Sequence, residues 1–129
     1  MRSFWRSCGV LFLFFCVFQF FDWWISWINL SSGLIGEANP IGEYLFGLGW
    51  FAALLLKVVG CALLFFVLRA GYHGNFKVNP GNNLFGRVDR WAYAHRDVFI
   101  RRVLWVANIF YAYVVVHNLF LGFLVAASV

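Results

Sequence analysis

Charge is what this sequence has least of. Lys, Arg, Asp and Glu together make up 12% of its 129 residues, against about a quarter in an ordinary soluble domain. That scarcity excludes a conventional water-facing surface. A soluble core is excluded too: 64% of the residues are hydrophobic, and so small a domain leaves too much surface to hide them. Catalytic signatures are also missing. There is no H-E-x-x-H, no G-x-S-x-G and no Gly-rich phosphate loop. Glu37 has the chemistry of a base, yet no nucleophile or metal partner stands with it. No enzymatic activity and no cofactor are expected. Cys8, Cys16 and Cys61 make no C-x-x-C pair and no Cys/His cluster, so they read as small reduced packing residues, with a disulfide or metal site as the alternative. His117 has no second histidine within the apolar runs to complete a bis-histidine site, and a hydrogen bond toward a partner or at the lipid edge is the simpler role.

What is present is three long apolar runs. They cover about Leu11 to Leu34, Tyr44 to Leu68 and Val103 to Ala127. A bilayer core about 30 Å thick needs about 20 helical residues, and helices satisfy their backbone in lipid without outside partners. The chain is therefore expected to be all-α, one transmembrane domain over 1–129. Three transmembrane helices are joined by a short loop and by a long cytoplasmic loop, 69–102. Arg2, Arg6 and the apolar run behind them resemble a signal peptide. However, "FQFFDWWISWINL" follows with no small-x-small cleavage site, so an uncleaved helix is expected.

Basic residues sort to one side of these spans. Arg2 and Arg6 flank the first, while Arg69, Lys77, Arg87, Arg90, Arg96, Arg101 and Arg102 lie between the second and third. The 35–43 loop has none. An excess of Lys and Arg in short loops marks the cytoplasmic side, so the N-terminus is expected inside and the C-terminus outside, in the cell's inner membrane. The net charge of +5 is explained by this topology, and no nucleic-acid partner is implied.

The long loop opens with a turn, "VNPGNN" at 78–83. Leu84, Phe85, Val88, Trp91, Ala92, Val98 and Phe99 then recur at helical spacing, with Arg87, Arg90, Asp97 and Arg101 largely off the stripe. This predicts a cytoplasmic amphipathic interfacial helix among anionic headgroups; docking onto a partner protein is the alternative. His73 is expected in solvated loop, and His95 on the packed stripe.

Asp22 and Lys57 fall inside the spans. Counted from Leu34 and Tyr44 at about 1.5 Å per residue, both lie about 18–20 Å below the outer face. An unpaired charge at mid-bilayer costs about 2.5 kcal/mol or more, so equal depth and opposite charge predict an Asp22–Lys57 contact. Each span also carries a polar or small stripe. These are Phe15, Phe18, Asp22, Ser26, Asn29 and Gly33; then Gly49, Ala53, Lys57 and Gly60; then Asn108, Tyr111, Val115, Asn118, Gly122 and Ala126. An intramembrane polar cluster of Asp22, Ser26, Asn29, Lys57, Asn108, Tyr111 and Asn118 is expected, as bundle glue or as a functional site. In the outer loop, Pro40 pushes Asn39 out of helical conformation, so that Glu37 and Asn39 can fold back as a cap or a binding loop.

An Asp within the first span, then Glu37, Asn39 and Pro40 in "GEANP", then Lys57 in the second span resembles an uncharacterised prokaryotic membrane family, domain of unknown function family 5658. Asn118 in "VVVHNLF" is similar to a last-helix Asn of that family. The resemblance spans residues 10–70 and 103–125, while segment 69–102 has no counterpart. It implies a small multi-helix membrane protein and no particular reaction.

Two functions fit these features. The 17 Phe, 7 Trp and 5 Tyr exceed what a three-helix core buries. That favours a helper or interaction subunit of a membrane complex, with lipid, other membrane subunits or further copies as partners. Trp27, Trp50 and Tyr44 are alternatively interfacial anchors. The second function is an oligomeric transporter or ion conductor, with Asp22, Lys57, Glu37 and Asn118 along a polar path.

Overall fold

A computed structural model describes residues 3–31, 44 and 46–128. The described residues form helices and no strands. Four α-helices follow in order: α1 (Val10–Ser31), α2 (Trp50–Tyr72), α3 (Leu84–Ala94) and α4 (Arg96–Ser128). A π-helical turn, Trp5–Gly9, leads into α1. α1 with its leading turn, α2 and α4 are each long and apolar enough to cross a membrane. At about 1.5 Å per residue, α2 measures ~34 Å and α4 ~50 Å. α4 therefore exceeds a hydrocarbon core of about 30 Å, and its first turns carry Arg96, Arg101 and Arg102.

Several boundaries differ from those expected. The first helix does not begin at Leu11. Its leading turn packs into the core instead, with Phe4 and Cys8 essentially inaccessible. A Cβ on Gly9 would lie 2.5 Å from Trp5 Cε3, so this glycine makes room for the indole. α2 does not begin at Tyr44 either. Gly49 has φ +115°, a conformation that glycine alone adopts readily, and the helix starts one residue later. At the other end α2 runs four residues beyond Leu68. It closes in a Schellman turn: Asn75 N–H donates to the Ala70 carbonyl at 2.9 Å and Gly74 N–H to Gly71 at 3.0 Å, with Gly74 at φ +75°.

The amphipathic stripe read through to Phe99 is divided between two helices. α3 starts at a cap, Asn83, whose side chain accepts from Gly86 N–H at 2.9 Å. It ends at His95, so Val98 and Phe99 belong to α4. His95 is exposed rather than packed. Its ring stacks on Trp91 at 5.2 Å, with Nδ1 3.0 Å from the Trp91 carbonyl. His73 caps α2 at the surface.

α1 is the central helix. Of its apolar window 39% is buried, against 6% for α2 and for α4. Its most extensive packing is with α4, to which it runs parallel; Asn108 meets Leu11 and Asn118 meets Asp22. α2 runs antiparallel, so Trp50 meets Trp23 and Tyr72 meets Ser7. The apolar core sits at the end rich in arginine, hereafter the basic end. There Phe4, Cys8, Phe12, Phe15, Tyr72, Ile100 and Leu104 close together. The opposite end holds a tryptophan cluster. The Trp27 and Trp50 rings lie 5.3 Å apart, and Trp23 Nε1–H donates to the Trp50 carbonyl at 2.9 Å.

Candidate functional site

One polar side chain from each long helix, with Gln19 beside them, meets at one level. Lys57 Nζ donates to Asp22 Oδ2 at 2.9 Å and to Gln19 Oε1 at 3.0 Å. Asn118 Nδ2 reaches Asp22 Oδ1 at 3.4 Å. Two turns farther along α1 toward the tryptophan end, Asn29 Nδ2 donates to the Asn118 carbonyl at 3.3 Å. The expected Asp22–Lys57 contact is thus present as a hydrogen-bonded ion pair. Lys57 lies seven residues inside α2, about 10 Å by helical rise, nearer the helix start than the expected distance of about 18–20 Å. The end of the first span from which Asp22 is counted lies outside the described residues. α2 starts later than its apolar run because the chain turns at Gly49, and the contact with Asp22 is made all the same.

Local packing explains why Lys57 points inward. The stripe of α2 that faces α1 runs Ala53, Lys57, Cys61, Leu64 and Leu68, with Ala53 only 2% exposed. Steps of four drift around the helix. This corrects the expected stripe: Gly60 is exposed in open space, and Gly49 lies outside the helix. On α4 the small-residue expectation holds at Gly122, where a Cβ would come within 2.9 Å of Asn29 Oδ1.

The expected seven-residue cluster separates into layers. Asp22, Lys57, Asn118 and Asn29 belong together. Ser26 is buried on the same face but, among the described residues, stands outside that chain of hydrogen bonds. Asn108 is ten residues from Asn118, about 15 Å along α4, and donates instead to the Leu11 carbonyl at 2.9 Å. The Tyr111 ring packs edge-on to Phe15 at 5.5 Å, as part of the aromatic core. His117 is exposed and stacks on Tyr113 at 5.8 Å. Glu37, Asn39 and Pro40 lie outside the described residues.

Gln19 was absent from the expected set. A neutral amide among phenylalanines attracts no notice, but it lies one turn before Asp22 on the same face, and that spacing was the available signal. Its Nε2 is buried without a hydrogen-bond partner among the described residues. One turn farther toward the basic end, Cys16 of α1 and Cys61 of α2 are neighbours packed beside the aromatic core. All three cysteines are free. Among the described residues no group of His, Cys, Asp and Glu side chains could hold a metal ion.

The ion pair is incompletely covered. The Lys57 side chain is 25% exposed and that of Asp22 16%. Within hydrocarbon, direct pairing is what makes two such charges tolerable.

Three helices of this length and hydropathy define the architecture of a multi-pass membrane protein. Compared with protein-family models, curated proteins and solved structures, the chain matches none.

Proposed function

We propose that the chain is a helper or interaction subunit of a complex in the cytoplasmic membrane, with its N-terminus inside and its C-terminus outside. The carrying observation is the partly uncovered Asp22–Lys57 pair at the middle of the bundle. A charge pair open to lipid retains an electrostatic cost, and a neighbouring helix that closes over it removes that cost. α2 supports the same reading, since it buries only Ala53 and Tyr72 along 23 residues. Orientation follows from the arginines gathered at one end, and reporter fusions to the C-terminus test it. The resemblance to domain of unknown function family 5658 fits a small membrane protein with no assigned reaction.

The direct test is photocrosslinking in native membranes from Leu56 and Val58, which flank Lys57 and are exposed. A discrete crosslinked polypeptide is expected. Lipid adducts alone contradict the proposal.

One observation favours the second reading, an oligomeric transporter or ion conductor. The unpaired Gln19 donor joins a continuous polar set, Asn118–Asp22–Lys57–Gln19. A proton or small ion needs such a set of exchanging partners. Flux into liposomes that is unchanged by Asp22→Asn and Lys57→Met rules this reading out.

A further inference from the structure

At the basic end the chain encloses a second feature that the polar cluster does not use. A groove of about 260 Å³ runs between the last turns of α2, the 74–78 turn, α3 and the start of α4. Its walls are apolar: Val67 and Leu68 from α2, Phe76 from the turn, Phe99 and Ile100 from α4. Sites that engulf a drug-sized ligand measure about 300–1,000 Å³, so this groove suits a narrower occupant with an aliphatic segment.

The charged groups lining the groove differ in availability. Arg96 is committed: its Nε donates to the Tyr72 carbonyl at 2.9 Å, Nη1 donates to the Tyr93 carbonyl at 3.0 Å, and the guanidinium lies over the Tyr93 ring. Lys77 also lines the groove, is exposed, and has no ion-pair or hydrogen-bond partner among the described residues. Asp89 lines it from α3, as an acceptor for a headgroup hydroxyl. Around them, segment 69–102 carries seven Lys and Arg against two Asp. α3 also carries exposed apolar residues, Leu84, Val88 and Trp91, beside the Asp89, Ala92 and Tyr93 positions that line the groove.

We infer that this groove is a binding site for an anionic phospholipid, whose phosphate pairs with Lys77 while one acyl chain lies along Leu68, Phe76 and Phe99. The chemistry is complementary at both ends. A basic side chain near a membrane surface attracts anionic lipid, and the apolar walls of the groove receive hydrocarbon.

The test is native mass spectrometry of the full chain in mild detergent, titrated separately with dioleoyl phosphatidylglycerol, dioleoyl phosphatidylcholine and inorganic phosphate. Phosphatidylglycerol is expected to be retained over phosphatidylcholine, and free phosphate not to displace it. Lys77→Gln should weaken phosphatidylglycerol retention about five-fold. Ala92→Phe, which places a ring in the groove, should reduce retention of both lipids, with helicity by circular dichroism unchanged. Lys77→Gln alters an exposed side chain and leaves the packing intact, so it decides the matter even if Ala92→Phe perturbs α3. Equal retention of the two lipids, retention indifferent to Lys77→Gln, or displacement by phosphate alone overturns the inference. So does a polypeptide rather than lipid crosslinked to a photoreactive residue at Phe76.

Discussion

At Lys57 an ammonium with three donors sits on an apolar helix, where no bulk water receives them. Asp22 and Gln19 take two of the three. Removing one charge strands the other, and a lone charge at the centre of a membrane helix costs about 2.5–3.5 kcal/mol on insertion scales. Lys57→Met and Asp22→Asn are each expected to lower stability by about 2–3 kcal/mol, measured by steric trapping in bicelles. Gly122 makes a smaller prediction. Its Cβ position lies 2.9 Å from Asn29 Oδ1, so Gly122→Ala displaces Asn29 from the Asn118 carbonyl. The expected loss is about 1 kcal/mol, one ordinary hydrogen bond, read as a lower thermal midpoint. The residue pairing was legible because depth and charge sign can both be counted along two antiparallel apolar runs. Gln19 was not, because an amide carries no charge that demands a partner.

At the level of elements, hydropathy placed all three long helices but misjudged where α2 and α4 begin and where α2 stops. An apolar run continues through a break that depends on one backbone angle, as at Gly49, where no Pro or charge signals the stop. The division between α3 and α4 at His95 is quieter still. Hydrogen bonds cross it, from His95 N–H to Trp91 and from Phe99 N–H to His95, so the 3.6-residue pattern never fails in sequence. α3 depends on its cap, and Asn83→Ala should cost about 1 kcal/mol, visible as faster amide exchange in its first turn. Gly86→Ala should be more severe, since the added Cβ runs into the Gly81 carbonyl. The pairing of α1 with α2 has its own reporter. Cys16 and Cys61 meet between them, so mild copper-phenanthroline oxidation should link these two thiols and leave Cys8 free, as read by peptide mass mapping. A Cys8 disulfide, or none, contradicts the register of the two helices.

For the molecule as a whole, α1 carries the packing and α2 is held chiefly at its two ends and at Lys57. The tryptophan cluster secures one end, Tyr72 and Phe65 the other. Regions with few buried contacts open first, so α2 amides are expected to exchange faster than those of α1 in the isolated protein. Covering of α2 by a neighbour should slow them. This asymmetry could not be read from the sequence, where α2 has the highest mean hydropathy of the three spans, 2.6 against 1.8 and 1.9. Apolarity says that a helix enters lipid; it does not say how much of that helix another helix covers.

The claim on which the rest depends is that Asp22 and Lys57 hold α2 to α1. A double-mutant cycle in a lipid environment addresses it directly, comparing Asp22→Asn, Lys57→Met and the two combined. Groups in contact couple by about 0.5–3 kcal/mol. The double variant should therefore be more stable than the two single losses added together. Strict additivity, within about 0.3–0.5 kcal/mol, would mean that the two side chains do not interact in the membrane.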